Sequence, residues 1–550
     1  LLASSAASDV YKRQASQRAA AFILTAAMLT TFTAPAFAKT WYIENGDITV
    51  KAGEAEGPNK VKQGDSDFVK DEGDTIITGT SDKNTVTIEA ENKNDTVEVT
   101  LKDVNIDASS RNEAAVSVTG SGNTTIKLDG DNHLTGGISD NGSYGLSGIS
   151  SSGSLTISGG ETDSLTAQGG SGTDGSGGRG IFSKDLTISG GTVNANGGDG
   201  TDGSGGSGIT SLGSLTISGG TVNAAGGDGT NSSDGGDGIT NNRGVTISSG
   251  GTVTAKGGSG EDGSGGRGIS SFGGVTISSG GTVTATGGNS TGSDGSGGDG
   301  ISSTSTTISG GTVTADGGSG NFSGGNGIRS FDVAISGGTV NVAGGNGGNG
   351  SGSDVGNGIY SSDIDLSGSL ELTAKAGSPN GKALSRVGHE FDLNAIKDKL
   401  GPGAKVTVTD ADGKVNQVSI PRPVEPEGPV IPGDSSSSSD GGSATPSAPA
   451  SPLPGLTVTD KSGQRISYTS TQSGNTLTVC VGRFTASLHA SLSALRQLRA
   501  EGIETITFQT ILCSTTLSVD ELLAMGGEDT EVVLTHHIRS STLTVGGKAV

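Results

Sequence analysis

Proline is almost missing from the middle of this chain: of 13 prolines in 550 residues, none lies between Pro58 and Pro379. That gap excludes collagen, whose triple helix needs imino acids and a strict three-residue glycine period. Aromatic residues make up only 3 %, too few for a conventional dense core of this length. Cysteine is limited to Cys480 and Cys513, which excludes a disulfide-stapled scaffold or a cysteine zinc site. The two thiols are compatible with one disulfide in an exported domain and equally with two buried free thiols. Basic residues number 34 against 57 acidic, a net charge of −23. That balance argues against nucleic acid as a partner, since phosphate binding needs clustered Lys and Arg. What the chain has in excess is glycine, 101 residues or about 18 %, against a usual share of roughly 7 %.

Residues 12–38 read as a secretory signal. Lys12, Arg13 and Arg18 precede an apolar stretch from Ala19 to Phe37, and Ala36-Phe37-Ala38 puts small residues where a signal peptidase reads. Thr30, Thr31, Thr33 and Pro35 cut the apolar run short of the roughly 20 residues a membrane span needs. Cleavage is expected after Ala38; losing Asp9, Lys12, Arg13 and Arg18 then takes the charge from −23 to −25. Leu1 to about Gln14 reads as a non-native start, translated sequence upstream of the true one, and is given no function. No second long apolar segment follows, so a secreted or cell-surface protein without a membrane span is expected.

Self-comparison reveals a repeat of about 30 residues. A T-I-S-G-G-like segment places its isoleucine at Ile157, Ile188, Ile217, Ile247, Ile277, Ile308 and Ile335, with spacings of 31, 29, 30, 30, 31 and 27. A Gly-Ile landmark recurs at Ile149, Ile181, Ile209, Ile239, Ile269, Ile301, Ile328 and Ile359. Thr-Val recurs at Val193, Val222, Val253, Val283, Val313 and Val340, each five residues before the second glycine of a pair. In one copy Leu215 and Ile217 alternate with Thr216, and Val222 and Ala224 with Asn223. Period two is strand behaviour, and glycine interrupts too often for helices. Such short strands bury an apolar side only by stacking copy on copy, Ile over Ile and Val over Val, at a strand spacing of roughly 4.8 Å. The expected fold is an all-β parallel β-helix with about eight turns over 136–377. The glycine-rich stretches, too polar for a core, are expected to protrude as loops from one edge. Glycine pairs after Ile217 and after Ala225 suit corners at positive φ.

Around these coils, 39–135 reads as an N-terminal cap and opening coils, and 378–420 as a closing segment. Residues 421–454 read as a Pro/Ser/Gly linker. A small α+β domain is expected over 455–550, with strands near 456–459, 477–481 and 505–509, a helix near 491–500 and a short helix after Ser518.

The combination of Trp41-Tyr42-Ile43-x-x-Gly46-x-Ile48, strand-rich opening coils and repeated G-I-x-S / L-T-I-S-G-G-T-V-x-A-x-G-G resembles the clostridial secreted carbohydrate-binding-domain proteins over about Lys39 to Gly377. The resemblance implies a right-handed parallel β-helix of the pectate-lyase-like superfamily without lyase activity. It also implies calcium along the helix and binding of acidic plant polysaccharides such as polygalacturonate.

Several motifs bear on chemistry. G-x-G-x-x-G occurs at 175–180, 203–208, 263–268 and 295–300, but a strand follows where a dinucleotide site needs a helix N-terminus. G-G-x-G-x-D at 169–174, 197–202 and 257–262 resembles half of the calcium nonapeptide of β-rolls, yet the next apolar residue is missing and the period is 30, not nine. Stacked loops offer Asp174, Asp199, Asp202, Asp228, Asp234, Asp237 and Asp262 as oxygen ligands for calcium. The same acids also keep a glycine-rich edge soluble and deter edge association. A threonine column through Thr252-Val253-Thr254 and its copies reads as β-propensity on an exposed face, not as an ice-binding lattice.

No enzyme is expected. His133, His389, His489, His536 and His537 are scattered, and the last two, being adjacent, would face opposite sides of a strand. Between 136 and 377 the cations are Arg179, Lys184, Arg243, Lys256, Arg267, Arg329 and Lys375, of which Arg179 and Arg267 share a loop position and read as solvated charges. The expected function is a non-catalytic polysaccharide-binding or adhesion surface. A β-helix lyase or hydrolase and a structural stalk are the alternatives.

Overall fold

A computed structural model describes residues 39–421 and 456–549, apart from 55–56, 141, 249, 279, 349–355, 461–462, 467, 474, 482, 484, 511–513, 528–529, 537–540 and 547. The leader, nearly all of the linker, Cys513 and His537 lie outside the described residues. The chain divides into two compact units, Leu1–Val424 and Glu425–Val550.

The first unit is a parallel β-solenoid of about 12 turns. One coil consists of three strands, Ile209–Ser211, Ser214–Ile217 and Thr221–Ala225. Each pairs in parallel with its counterpart one coil on, and like residues oppose like. Ile209 lies beside Ile239, Ile217 beside Ile247, Val222 beside Val253 and Ala224 beside Ala255. These side chains are fully or almost fully buried. Burial of one such isoleucine contributes about 1.5–3 kcal/mol, and the stack repeats that gain in every coil. The interior is narrow enough for aliphatic side chains alone to fill, which is why so few aromatic residues suffice.

The interior also carries a polar column where the first strand turns into the second. Ser151, Ser183, Ser211, Asn241, Ser271, Ser361 and Ser385 are all buried. Most of these hydroxyls satisfy corner carbonyls, as where Ser183 Oγ donates to Asp185 O (2.7 Å) and Ser211 Oγ to Ser214 O (3.0 Å); that of Ser385 finds no partner among the described residues. Asn241 does more, donating to Gly213 O (2.7 Å) and accepting from Arg243 N (3.0 Å).

The glycine-rich stretches correct the expectation of protruding loops. Gly227 N–H donates to Gly206 O (2.9 Å), Gly236 to Gly227 O (2.8 Å), Gly258 to Gly236 O (2.8 Å) and Gly266 to Gly258 O (2.9 Å). Outgoing and returning legs thus alternate in one hydrogen-bonded stack, and parallel bridges join Gly172, Gly200, Gly229 and Gly260 from coil to coil. Only the tips turn outward, as at Asp202 and Asn231, both at positive φ. A stretch without side chains can bury its backbone because each peptide group finds a partner in the neighbouring leg.

The two glycine corners differ in kind. Gly220, after Ile217, adopts φ +75° as expected. Gly226, after Ala225, has no positive φ; a Cβ there would stand 1.9 Å from Gly236 O. Close approach, not handedness, demands that glycine.

Antiparallel hairpins close both ends of the solenoid. Ile48–Lys51 pairs with Lys60–Gln63 at the N-terminal end, and Lys405–Thr409 with Val415–Ser419 at the other. Trp41 is buried at the start, where its indole N–H donates to the buried Asp71 carboxylate (2.8 Å).

The second unit has a six-stranded antiparallel sheet and a four-stranded sheet. The strands expected near 456–459, 477–481 and 505–509 are present, as are helices Leu492–Ala500 and Val519–Leu523, N-capped by Ser491 and Ser518. Strands Ala486–Ser491, Glu531–His536 and Ser541–Val545 carry weaker sequence signals and complete the larger sheet.

Candidate ligand-facing surface

The seven aspartates singled out from the sequence occupy different places on the coils. Asp199 and Asp228 stack on the outgoing glycine leg, where Asp199 Oδ1 accepts from Asp228 N (2.8 Å) and Asp228 Oδ1 from Ser259 N (2.6 Å). Asp234 accepts from Ser264 N (2.6 Å) on the returning leg, and Asp237 from Arg267 N (2.7 Å) just before the first strand. Asp202 accepts from Asn231 Nδ2 (2.7 Å) at a tip, and Asp174 and Asp262 are exposed tip residues. Asn289 and Asn346 make the same bond to the next coil as Asp199 and Asp228 do, accepting from Ser319 N (2.8 Å) and Ser378 N (3.1 Å). An uncharged acceptor therefore serves the stack as well as a carboxylate. Among the described residues no three His, Cys, Asp or Glu side chains gather as a metal centre would require.

The histidines stay apart. His133 pairs with Asp131 (3.2 Å) on the solenoid, while His489 meets Glu531 (2.9 Å) in the second unit. His536 is buried, its ring 4.8 Å from that of Phe508. Cys480 is half-buried, and burial pushes its thiol pKa up.

A different feature distinguishes one side of the solenoid. The second and third strand rows face solvent mainly with Thr, Ser and Asn. The first strand row and its corner carry Phe182, Phe272, Phe331 and Tyr360, four of the five Phe and Tyr residues between 146 and 380. Arg179 lies over the Phe182 ring (5.2 Å) with its Nε donating to Thr210 Oγ1 (3.1 Å), and Arg329 over that of Tyr360 (6.0 Å). Partial burial lowers the pKa of Arg179. Arg267 stands in the same column three coils on, 3.9 Å from the Asp299 carboxylate. Lys184 and Arg243 lie at the corner of this same row. Of the seven cations between 136 and 377, five (Arg179, Lys184, Arg243, Arg267 and Arg329) thus lie on this one row, where cation–π contacts hold Arg179 and Arg329.

At the corner itself one column alternates. Leu212, Phe272, Phe331 and Val387 are 45 %, 71 %, 67 % and 59 % exposed. Each directly follows a first strand, and the coils between them put Asn242, Thr304 and Ser362 in the same place. The sequence carries this signal in the residue after each G-I-x-S motif, but it shows only when the copies are aligned in the register the structure defines.

On the third strand row, Asp316 sits between Thr286 and Ala343. Burial raises its carboxyl pKa above the usual range. Its folded state therefore holds a proton more tightly than the unfolded chain, and the ionised form penalises folding at neutral pH. Asp316→Asn is expected to raise the thermal midpoint modestly at pH 7. That advantage should vanish as the pH falls through the folded-state pKa and the wild type regains its proton. Melting curves from pH 7 to 3 check this, and a constant difference across the range would refute it.

The chain has no significant match to any protein-family model, curated protein or solved structure.

Proposed function

We propose that the protein is a secreted or cell-surface, non-catalytic polysaccharide-binding or adhesion protein, as its resemblance to the clostridial carbohydrate-binding-domain proteins implies. The observation that carries this reading is the row of rings, Phe272 and Phe331 exposed and Phe182 and Tyr360 half-buried beneath guanidiniums, repeated along one side of the solenoid. Such a surface engages a polymer through many weak contacts in register, so that affinity comes from multivalency rather than from one deep pocket. For an acidic plant polymer, calcium would bridge its carboxylates to the aspartates of the coil tips, since a net charge near −25 otherwise repels it.

A glycan array run with calcium and again with EDTA tests this. Retention on polysaccharides without release of shortened products is expected. Retention on polygalacturonate should disappear in EDTA. Soluble products accumulating during long incubation would replace the proposal with a lyase or hydrolase. Retention on no polysaccharide would leave a structural stalk.

A further inference from the structure

We infer that the alternating corner column is a track for one extended, uncharged β-1,4-linked hexopyranose chain, an inference that rests on the polysaccharide-binding function proposed above. The apolar residues Leu212, Phe272, Phe331 and Val387 recur at every second coil. Two coils span roughly 9.6 Å, twice the strand spacing. In an extended β-1,4-linked chain each sugar is turned over relative to the last, so the same ring face recurs once per disaccharide. That repeat is close to the two-coil period. The C–H-rich face of every second sugar then lies on an apolar side chain, with the exposed Phe272 and Phe331 rings as platforms.

The coils between complete the fit. Asn242 and Ser362 offer an amide and a hydroxyl, and Thr304 a hydroxyl oxygen whose proton goes to Gly273 O (2.7 Å), at the height of the intervening sugars, whose edges carry hydroxyls. The column itself bears no charge, so an uncharged polymer meets neither repulsion nor a need for calcium. From Leu212 to Val387 the track covers six coil steps, roughly 29 Å, the reach of about six sugars. An α-1,4-linked chain curves away from a straight column and would engage at most one or two rungs.

The test uses the chain from Lys39 to Val550, titrated with cellohexaose, chitohexaose and maltohexaose in EDTA. The wild type is expected to bind the first two and not the third. F272A/F331A should weaken that binding at least about tenfold. N242F/F272N keeps the same side chains but moves one ring by a single coil, breaking the period; it should weaken binding to a similar degree. All of these positions are exposed or half-buried, and unchanged melting curves would confirm that the variants fold. If the register variant or F272A/F331A binds the β-1,4 hexaoses like the wild type, the track is wrong. If the wild type fails on them but holds another polysaccharide on the array, the track falls and the wider proposal stands. If it holds no polysaccharide at all, both fall.

Discussion

Gly236→Ala is expected to cost the solenoid about 3 kcal/mol or more, at the upper end of what overpacking does in a protein interior. A Cβ on Gly236 would stand 2.0 Å from Gly206 O and 2.6 Å from Gly206 C. Backbone cannot give way as a flexible side chain can. Gly236 is also pinned from both sides, its N–H donating to Gly227 O (2.8 Å) and its carbonyl accepting from Gly258 N (2.8 Å). Moving it breaks a stack in which each leg supports the next, and in a repeat protein such a break uncouples the coils on either side. Gly244→Ser supplies the contrast. There a Cβ meets its nearest neighbour, Gly274 O, at 3.5 Å, and Ser214 fills the same place one coil earlier. It should change stability by less than about 0.5 kcal/mol. Urea denaturation followed by circular dichroism checks both. A Gly236→Ala protein with the wild-type midpoint would mean that the glycine legs are not packed backbone against backbone.

The second large effect concerns the strand faces. Ile217→Asp is expected to abolish the cooperative melt of the central coils, whereas Thr216→Asp, one residue away, should leave it nearly unchanged. Ile217 is fully buried between Ile188 and Ile247. A carboxylate there has no cation or donor within the aliphatic column, and burying an unpaired charge costs several kcal/mol even after it takes up a proton. To that is added the loss of the isoleucine's own burial, about 1.5–3 kcal/mol. Thr216 points outward between Thr187 and Thr246, so a charge there stays hydrated; the like charge of Asp185 lies diagonally opposite, held by Ser214 N (2.9 Å) and Ser214 Oγ (3.0 Å). Equal effects of the two variants would mean a register shifted by one residue, since a one-residue slip exchanges the faces of a strand.

Much of the architecture was legible from residue spacing. The isoleucines of the Gly-Ile and T-I-S-G-G landmarks, Val193 and its copies, and the small apolar residues two beyond them stack in the register their repeat implies. Such columns are readable because burial in a parallel stack demands an apolar side chain at the same step of every coil, and that demand is written directly as a period. The capping hairpins and the strands at 486–491, 531–536 and 541–545 were less legible because they occur once and no copy reinforces them.

The glycine stretches and the corner column were decided by tertiary structure. Composition identifies a glycine-rich segment as polar backbone, and polar backbone alone reads as a surface loop. Only the juxtaposition of Gly206, Gly227, Gly236 and Gly258 shows that the two legs satisfy one another and require the absence of Cβ atoms. Likewise, Leu212, Phe272, Phe331 and Val387 are isolated apolar residues along the chain and become one feature only when the coils set them two rungs apart. Sequence determined which residues face inward, because inward positions repeat. The coiling decided which outward residues become neighbours, because proximity across coils depends on the length of everything between them.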